Sequence, residues 1–260
     1  MRITAGIITL NEEEHLPRAL ESLSGLVDEI VVVDSGSRDS TESIARAAGA
    51  RWVHQDWLGY VGQKNRVLGL ASHPWVLSLD ADEALSDRLR GEMDSLRRAG
   101  EPGADIAGFS MPRCVWYEGR WIRHGDWYPD RLVRLFRKGG GRFAGGRVHE
   151  RLELEGKIQK LWGDIHHFSF RDAADHRARG ERYARLWAES AWEQGRRVGP
   201  LAPVLHAGYR WLRCYLLRRG FLDGWQGWRI AALSSRETAL KYRLLREKLR
   251  KNPCPPKSMN

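Results

Sequence analysis

The runs EIVVVD at 29–34 and WVLSLD at 75–80 are almost uninterrupted in apolar residues, and each stops at an aspartate. A strand with one wet face alternates apolar and polar side chains; these do not, so both read as strands buried on two sides, as in a parallel sheet. Parallel neighbours require crossover helices between them, and the flanking sequence supplies them. After a first strand in RITAGIITL, Leu16, Leu20 and Leu23 fall on one helical face, with Pro17 tolerated in the first turn. DSGSRDST forms a turn in which Ser40 or Thr41 caps a short helix ending at Gly49. RWVHQ is a third strand, and a helix over 61–71 precedes WVLSLD. Ser86 caps a further helix carrying Leu89, Met93 and Leu96 on one stripe. The expected class for residues 1–170 is α/β, a mostly parallel sheet flanked by helices. Ligands of such sheets bind at the carboxyl ends of strands, where Asp34 and Asp80 stand.

From about Asp172 the pattern turns helical, broken by RVGPLAP and RRGFLDGWQGW, so residues 171–260 form a second region. Charge divides the same way. Between residues 196 and 251 there are 14 Lys or Arg against 3 acids, a surplus of +11; the whole chain carries +10, so the remainder nets −1. Five of the 12 Trp lie between Trp187 and Trp228, interleaved with arginines. That combination suits an anionic membrane surface, with Trp at the interface and each basic residue contributing on the order of 1 kcal/mol. Residues 201–217 contain Arg210 and Arg213, which makes a spanning helix poor; an interfacial helix with those arginines snorkelling to headgroups fits better. Leu233, Leu240 and Leu244 share another face, which either joins that surface or packs against the α/β domain of residues 1–170. Cys114, Cys214 and Cys254 are dispersed and odd in number, against a disulfide framework or a zinc cluster. The opening apolar stretch runs straight into NEEE and reads as a strand, not a signal peptide. The expected location is cytoplasmic, peripheral on the inner face of the cytoplasmic membrane.

VLSLDADE places Asp80, Asp82 and Glu83 together, and carboxylates this close need hydration or counter-charge. A Walker B strand is excluded because no G-x-x-x-x-G-K-[ST] loop occurs in the chain. An EF-hand would need Gly and Glu where Leu85 and Gly91 stand. A phosphatase of the Asp-x-Asp type would call for a hydroxyl residue at Ala84 and a nearby lysine. A hard divalent cation bridging a diphosphate remains, as do plain N-cap acids ahead of Ser86.

TLNEEEHL after the first strand, VVVDSGSRDST after the second and GQKNRVLGLA before the aspartates together resemble the inverting glycosyltransferases of family 2, which share the GT-A fold. RVHERL, DIHHFSFRD and RRGFLDGWQGWRIA are similar to the lipopolysaccharide core β-glucosyltransferase subgroup. The resemblance runs over most of the chain in the same order, and does not fix the sugar.

The resemblance implies that Glu12 lies beside the nucleotide base, that Asp34 contacts the uridine moiety and that Lys64 is the positive group on the nucleotide side, unless it is a solvated helix lysine. Carboxylates can accept from a pyrimidine N–H and ribose hydroxyls. Asp80 and Asp82 become the pair that binds Mg2+ or Mn2+, Asp82 more directly, and His167 completes the metal shell. Glu83 is supporting or solvated, and Asp39 is a turn or cap residue. Glu150 is the expected base for the acceptor hydroxyl, with Asp126 and Asp130 as competitors, and His149 orients it or meets phosphate. The alternative for Glu150 is a surface pair with Arg147 or Arg151. The expected reaction moves a hexose, glucose from UDP-glucose, onto a lipid-linked saccharide such as the lipopolysaccharide inner core. The alternative donor is an activated heptose. Nucleic-acid binding would follow from charge alone, but no helix-turn-helix, RNP or zinc-finger pattern is present, so no nucleic-acid partner is expected.

Overall fold

The apolar runs form strands ending where the sequence suggests. A computed structural model describes residues 1–145, 150–170 and 172–252, divided between two units. The first comprises Met1–Cys114 and Asp130–Phe168. In it β1 (Ile3–Thr9), β2 (Glu29–Asp34), β3 (Arg51–His54) and β4 (Trp75–Asp80) are parallel, joined by α1 (Leu16–Leu23), α2 (Thr41–Ala47) and α3 (Gly59–Leu70). Residue Thr9 lies opposite Asp34 and Ile8 opposite Asp80, so the register brings both aspartates to the same end of the sheet.

Helices cover both faces. The apolar stripe of α1 (Leu16, Leu20, Leu23) joins Leu89 and Met93 of α4 (Asp87–Ala99) over Ile3, Ile7 and Leu77. On the other face Val67 of α3 packs on Val31 and Val33. A Cβ at Gly6 would stand 2.0 Å from Val67 Cγ1, so a glycine is what lets α3 lie this close to β1.

Beyond β4 the sheet departs from the expected parallel pattern. A short strand β5 (Glu83–Leu85) precedes α4, whose cap is Ser86, its Oγ accepting from Leu89 N at 3.3 Å. Because β5 intervenes, the three carboxylates of VLSLDADE are not N-cap acids. The long β6 (Ile106–Tyr117) starts in this unit, and β7 (Arg120–Ile122) pairs with its far end. Next, β8 (Asp130–Arg137) runs antiparallel to both β4 and β6. A separate hairpin joins β9 (Gly141–Gly145) to β10 (Glu150–Leu154). Finally β11 (Lys157–Lys160) pairs with β6, and β12 (Ile165–His167) with β5. The sheet is therefore mixed, in the order β3-β2-β1-β4-β8-β6-β12-β5.

The second unit comprises Val115–Pro129 and Ser169–Asn260. Helix α5 (Ala173–Glu193) starts at the predicted place, with Asp172 capping Asp175 N at 2.8 Å. It is followed by α6 (Ala202–Leu212), a π-turn over Arg213–Leu217, a 3-10 turn over Gly220–Asp223, and α7 (Gly224–Lys251). Residues 115–129, which the sequence alone assigns to the α/β region, fold with these helices: Tyr117 and Ile122 bury against Cys214, Ile230 and Ala231. Leu244 packs with Ala188 and Ala191 of α5, so it is packed within the second unit itself and not against the α/β domain, the alternative expected from sequence. No helix among the described residues is long and apolar enough to cross a membrane.

Candidate active site

The loops after β1 and β2 are stitched together. Ser37 Oγ accepts from Asn11 N at 2.7 Å, Asn11 Oδ1 from Arg38 N at 2.9 Å, and Thr41 Oγ1 from Glu12 N at 2.8 Å. Asp39 serves the turn, accepting from Thr41 N at 3.0 Å. Asp34, only 2% exposed, is the hub. Its carboxylate accepts from Thr9 Oγ1 at 3.0 Å, from Gly36 N at 2.7 Å, from Ser37 N at 2.8 Å and from the Ser37 hydroxyl. A charge placed directly after Val31–Val33 is thus satisfied by its own loop, which it shapes.

At the end of β4 the carboxylates are not left to repel one another. Lys64, 5% exposed and hence not a solvated helix lysine, reaches down from α3 with Nζ 3.0 Å from Asp80 and 3.2 Å from Glu150. Arg134 of β8 places Nη2 2.7 Å from Asp80 and 2.7 Å from Glu83. Arg113 continues the row, 3.4 Å from Glu83 and 2.7 Å from Asp130. Seven charges of alternating sign therefore run from Glu150 to Asp130 through one unit. Burial raises the carboxyl pKa of Asp80, but Arg134 and Lys64 outweigh it and hold it well below the usual carboxylate range. Asp80 and Glu83 in turn push the Arg134 guanidinium above its ordinary value, against the effect of burial. A cleft of about 410 Å³ opens beside this row, lined by Lys64, Asp80, Arg131, Arg134, Phe143 and Glu150 among others.

Asp82 stands apart from the row. The β5–β12 pairing sets His167 opposite Glu83 and Phe168 N on Asp82 O at 2.9 Å, which brings His167 Nε2 to 3.2 Å from the Asp82 carboxylate. Burial raises Asp82, yet the ring's hydrogen bond and charge bring it below the normal range. His167 Nδ1 is buried with no hydrogen-bond partner among the described residues. Glu12 is pushed up to about 7 by burial and then by the charges of Asp82, Asp39, Glu14 and Asp80. Negative charge around Asp82 is therefore only partly offset. These hard oxygen donors fit Mg2+ or Mn2+, although no cluster of three or more His, Cys, Asp or Glu positioned to hold a metal exists among the described residues.

The structure brings Lys64, Asp80 and Glu150 together, and Glu12, Asp82 and His167 together. Of the competitors for base, Asp130 is held by Arg113, and Asp126 lies in the second unit, 2.9 Å from Arg210 and 3.5 Å from Arg213. Glu150 meets Lys64, while Arg151 pairs with Glu153 at 3.0 Å. His149 and Arg147 lie outside the described residues. Sequence reasoning missed Arg134 and Arg113. The signal was available: Arg134 shares a strand face with Phe136, where a charge needs a buried partner, and Glu83 was in surplus.

The model of the family described as Glycosyl transferase family 2 matches residues 4–172, well over half of the chain. The lipopolysaccharide core biosynthesis glycosyltransferase LpsC of Rhizobium meliloti is 34% identical over 202 residues, 75% of this chain and 73% of that protein. An uncharacterized glycosyltransferase of Rickettsia typhi is 28% identical over 95% of this chain and 87% of its own. Among solved structures, glucosyl-3-phosphoglycerate synthase from Mycobacterium tuberculosis, in complex with Mn2+, UDP and glucosyl-3-phosphoglycerate, is 30% identical over 45% of this chain and 44% of that one, with a TM-score of 0.34. The family model covers nearly all of the unit that carries the charge row, and the chain belongs to glycosyl transferase family 2, as a nucleotide-sugar-dependent glycosyltransferase built on a mixed sheet flanked by helices.

Proposed function

We propose that this enzyme transfers glucose from UDP-glucose, with inversion, to a lipid-linked saccharide of the lipopolysaccharide core type at an anionic membrane surface. The observation that carries the chemistry is Lys64, whose ammonium bridges Asp80 and Glu150 in the lining of the cleft. Glu150 takes the proton of the acceptor hydroxyl as that oxygen bonds to the sugar's anomeric carbon. The bond to the diphosphate breaks with its electron pair, and UDP leaves. Lys64 is placed to follow the negative charge from Asp80 and Glu150 onto the leaving diphosphate. Asp82, with Asp80 and His167, would hold Mg2+ or Mn2+, which neutralises the diphosphate when bound. Glu12 and the loop shaped by Asp34 face the nucleoside. The similarity to LpsC, a lipopolysaccharide core biosynthesis glycosyltransferase, supports the acceptor class. The peripheral cytoplasmic location follows from the same reading.

The test is nucleotide release from a panel of sugar nucleotides with Mn2+ and a lipid-linked core acceptor. UDP-glucose should be turned over fastest. Preference for an activated heptose would replace the donor assignment, and release from none of the panel would overturn the reading.

A further inference from the structure

In the second unit α6 is packed the wrong way round for a helix of a globular protein. Such a helix turns its large apolar side chains to the core. Here Leu201, Val204, Leu205, Tyr209 and Leu212 face outward, each 42–68% exposed, while Pro203 and Cys214 are the buried residues of α6 and the π-turn. Ala207 also faces the fold, its carbonyl accepting from Ser235 Oγ at 2.8 Å. The next turn repeats the inversion, for Leu217, Phe221, Leu222, Trp225 and Trp228 are all at least 45% exposed.

This is a built surface, not a loose loop. Asp223 is 2% exposed and accepts from Arg123 N at 3.1 Å, from His124 N at 2.7 Å and from His124 Nδ1 at 3.0 Å. Gln226 donates to Glu118 O at 3.1 Å. A Cβ at Gly227 would lie 1.8 Å from Gly220 O, and one at Gly220 2.6 Å from Cys214 O. In RRGFLDGWQGW the polar and glycine positions thus lock the turn inward, and the aromatic and leucine positions are left pointing out.

Charge selects the occupant. Arg218 and Arg219 are exposed, and neither pairs with a carboxylate among the described residues. The only acid between residues 201 and 229 is the buried Asp223. The arginines expected from sequence to reach headgroups, Arg210 and Arg213, are instead engaged by Asp126, and Arg229 by Glu118 at 2.6 Å. A second copy of the chain would bring like-charged faces together with no acid to offset them. Exposed Trp, Tyr and Leu beside unpaired arginines, on helices too polar to span, match an anionic lipid interface.

We infer that the outer face of α6, the π-turn, the 3-10 turn and the first turns of α7 is a membrane-docking surface, with Phe221, Leu222, Trp225 and Trp228 entering the interface and Arg218 and Arg219 at anionic headgroups. For its purpose, delivering the enzyme to a lipid-linked acceptor, it rests on the reading above. The test is sedimentation of the full chain with phosphatidylglycerol/phosphatidylcholine vesicles and with phosphatidylcholine alone. Wild type should bind the anionic vesicles, less in high salt. Phe221→Ser/Leu222→Ser and Arg218→Glu/Arg219→Glu should each weaken binding about tenfold or more. Because these side chains are exposed, both variants should keep wild-type melting and wild-type UDP-glucose hydrolysis in solution. Vesicle binding by a protein that turns over no sugar nucleotide would sink the functional reading and leave the surface standing. Equal binding by wild type and both variants, or a wild-type dimer that the variants dissociate, overturns the surface.

Discussion

Arg134 Nη2 stands 2.7 Å from Asp80 and 2.7 Å from Glu83, with the Arg134 and Glu83 side chains almost completely buried. The counter-charge demanded by VLSLDADE is thus carried first by the protein itself, from a strand 54 residues downstream of Asp80. Glu83 is not solvated; it anchors the guanidinium that meets Asp80.

Removing that guanidinium leaves two carboxylates without it in a dry setting. Arg134→Met should destabilise the protein by about 3–5 kcal/mol, measured by urea unfolding. Adding Glu83→Met should restore part of the loss, with a coupling of about 0.5–3 kcal/mol. Strict additivity would show that the pair does not act as a unit.

In the proposed scheme the Asp82 carboxylate, 3.2 Å from His167 Nε2, is the donor for the cation. Asp82→Asn should abolish transfer and weaken Mn2+-dependent UDP binding in calorimetry, while the melting profile survives. Full turnover in excess chelator would remove the metal from the scheme.

Glu150→Gln keeps shape and removes basicity. Turnover should fall by about 10²–10⁴ with donor affinity little changed, followed by nucleotide release and UDP-glucose titration. The same signature from Asp130→Asn or Asp126→Asn in place of Glu150→Gln would move the base to that residue.

His176 is pushed down to about 4 by burial, against the opposing pull of Glu237 and Asp175, among Tyr117, Trp127 and Phe170. Its folded pKa lies below the unfolded 6.5, so the unfolded chain binds the extra proton between those values. Stability is fully present above pH 6.5 and declines as pH falls to about 4, by up to about 3 kcal/mol. Urea melts at pH 7 and 4.5 should show this loss, and His176→Phe should reduce it.

Helix propensity alone favours Ala over Gly inside α7 by about 1 kcal/mol. Gly227→Ala should instead destabilise the protein by about 1–3 kcal/mol, because the new Cβ meets the Gly220 carbonyl. Differential scanning calorimetry reads the sign, and an unchanged or raised Tm would show that the turn yields.

Apart from β5, the strands and helices of residues 1–99 were legible because their causes are local. Continuous apolar runs make Glu29–Asp34 and Trp75–Asp80 buried strands, and Ser86 caps α4 by a contact three residues long. The resemblance in the loops after those strands was legible for the same reason. What sequence could not decide is who neutralises whom. Lys64 meets Glu150 across 86 positions, and His167 reaches Asp82 because β12 pairs with β5. Antiparallel insertion of β8 beside β4 carries Arg134 to Asp80; the strand pattern shows that Arg134 needs a buried partner, but nothing local to either strand says which. The tail shows the same limit: composition marks residues 196–251 as basic and Trp-rich, but only packing decided that Arg210 and Arg213 serve Asp126 while Arg218 and Arg219 remain outside. Periodicity is a property of neighbours along the chain, whereas charge compensation is a property of neighbours in space.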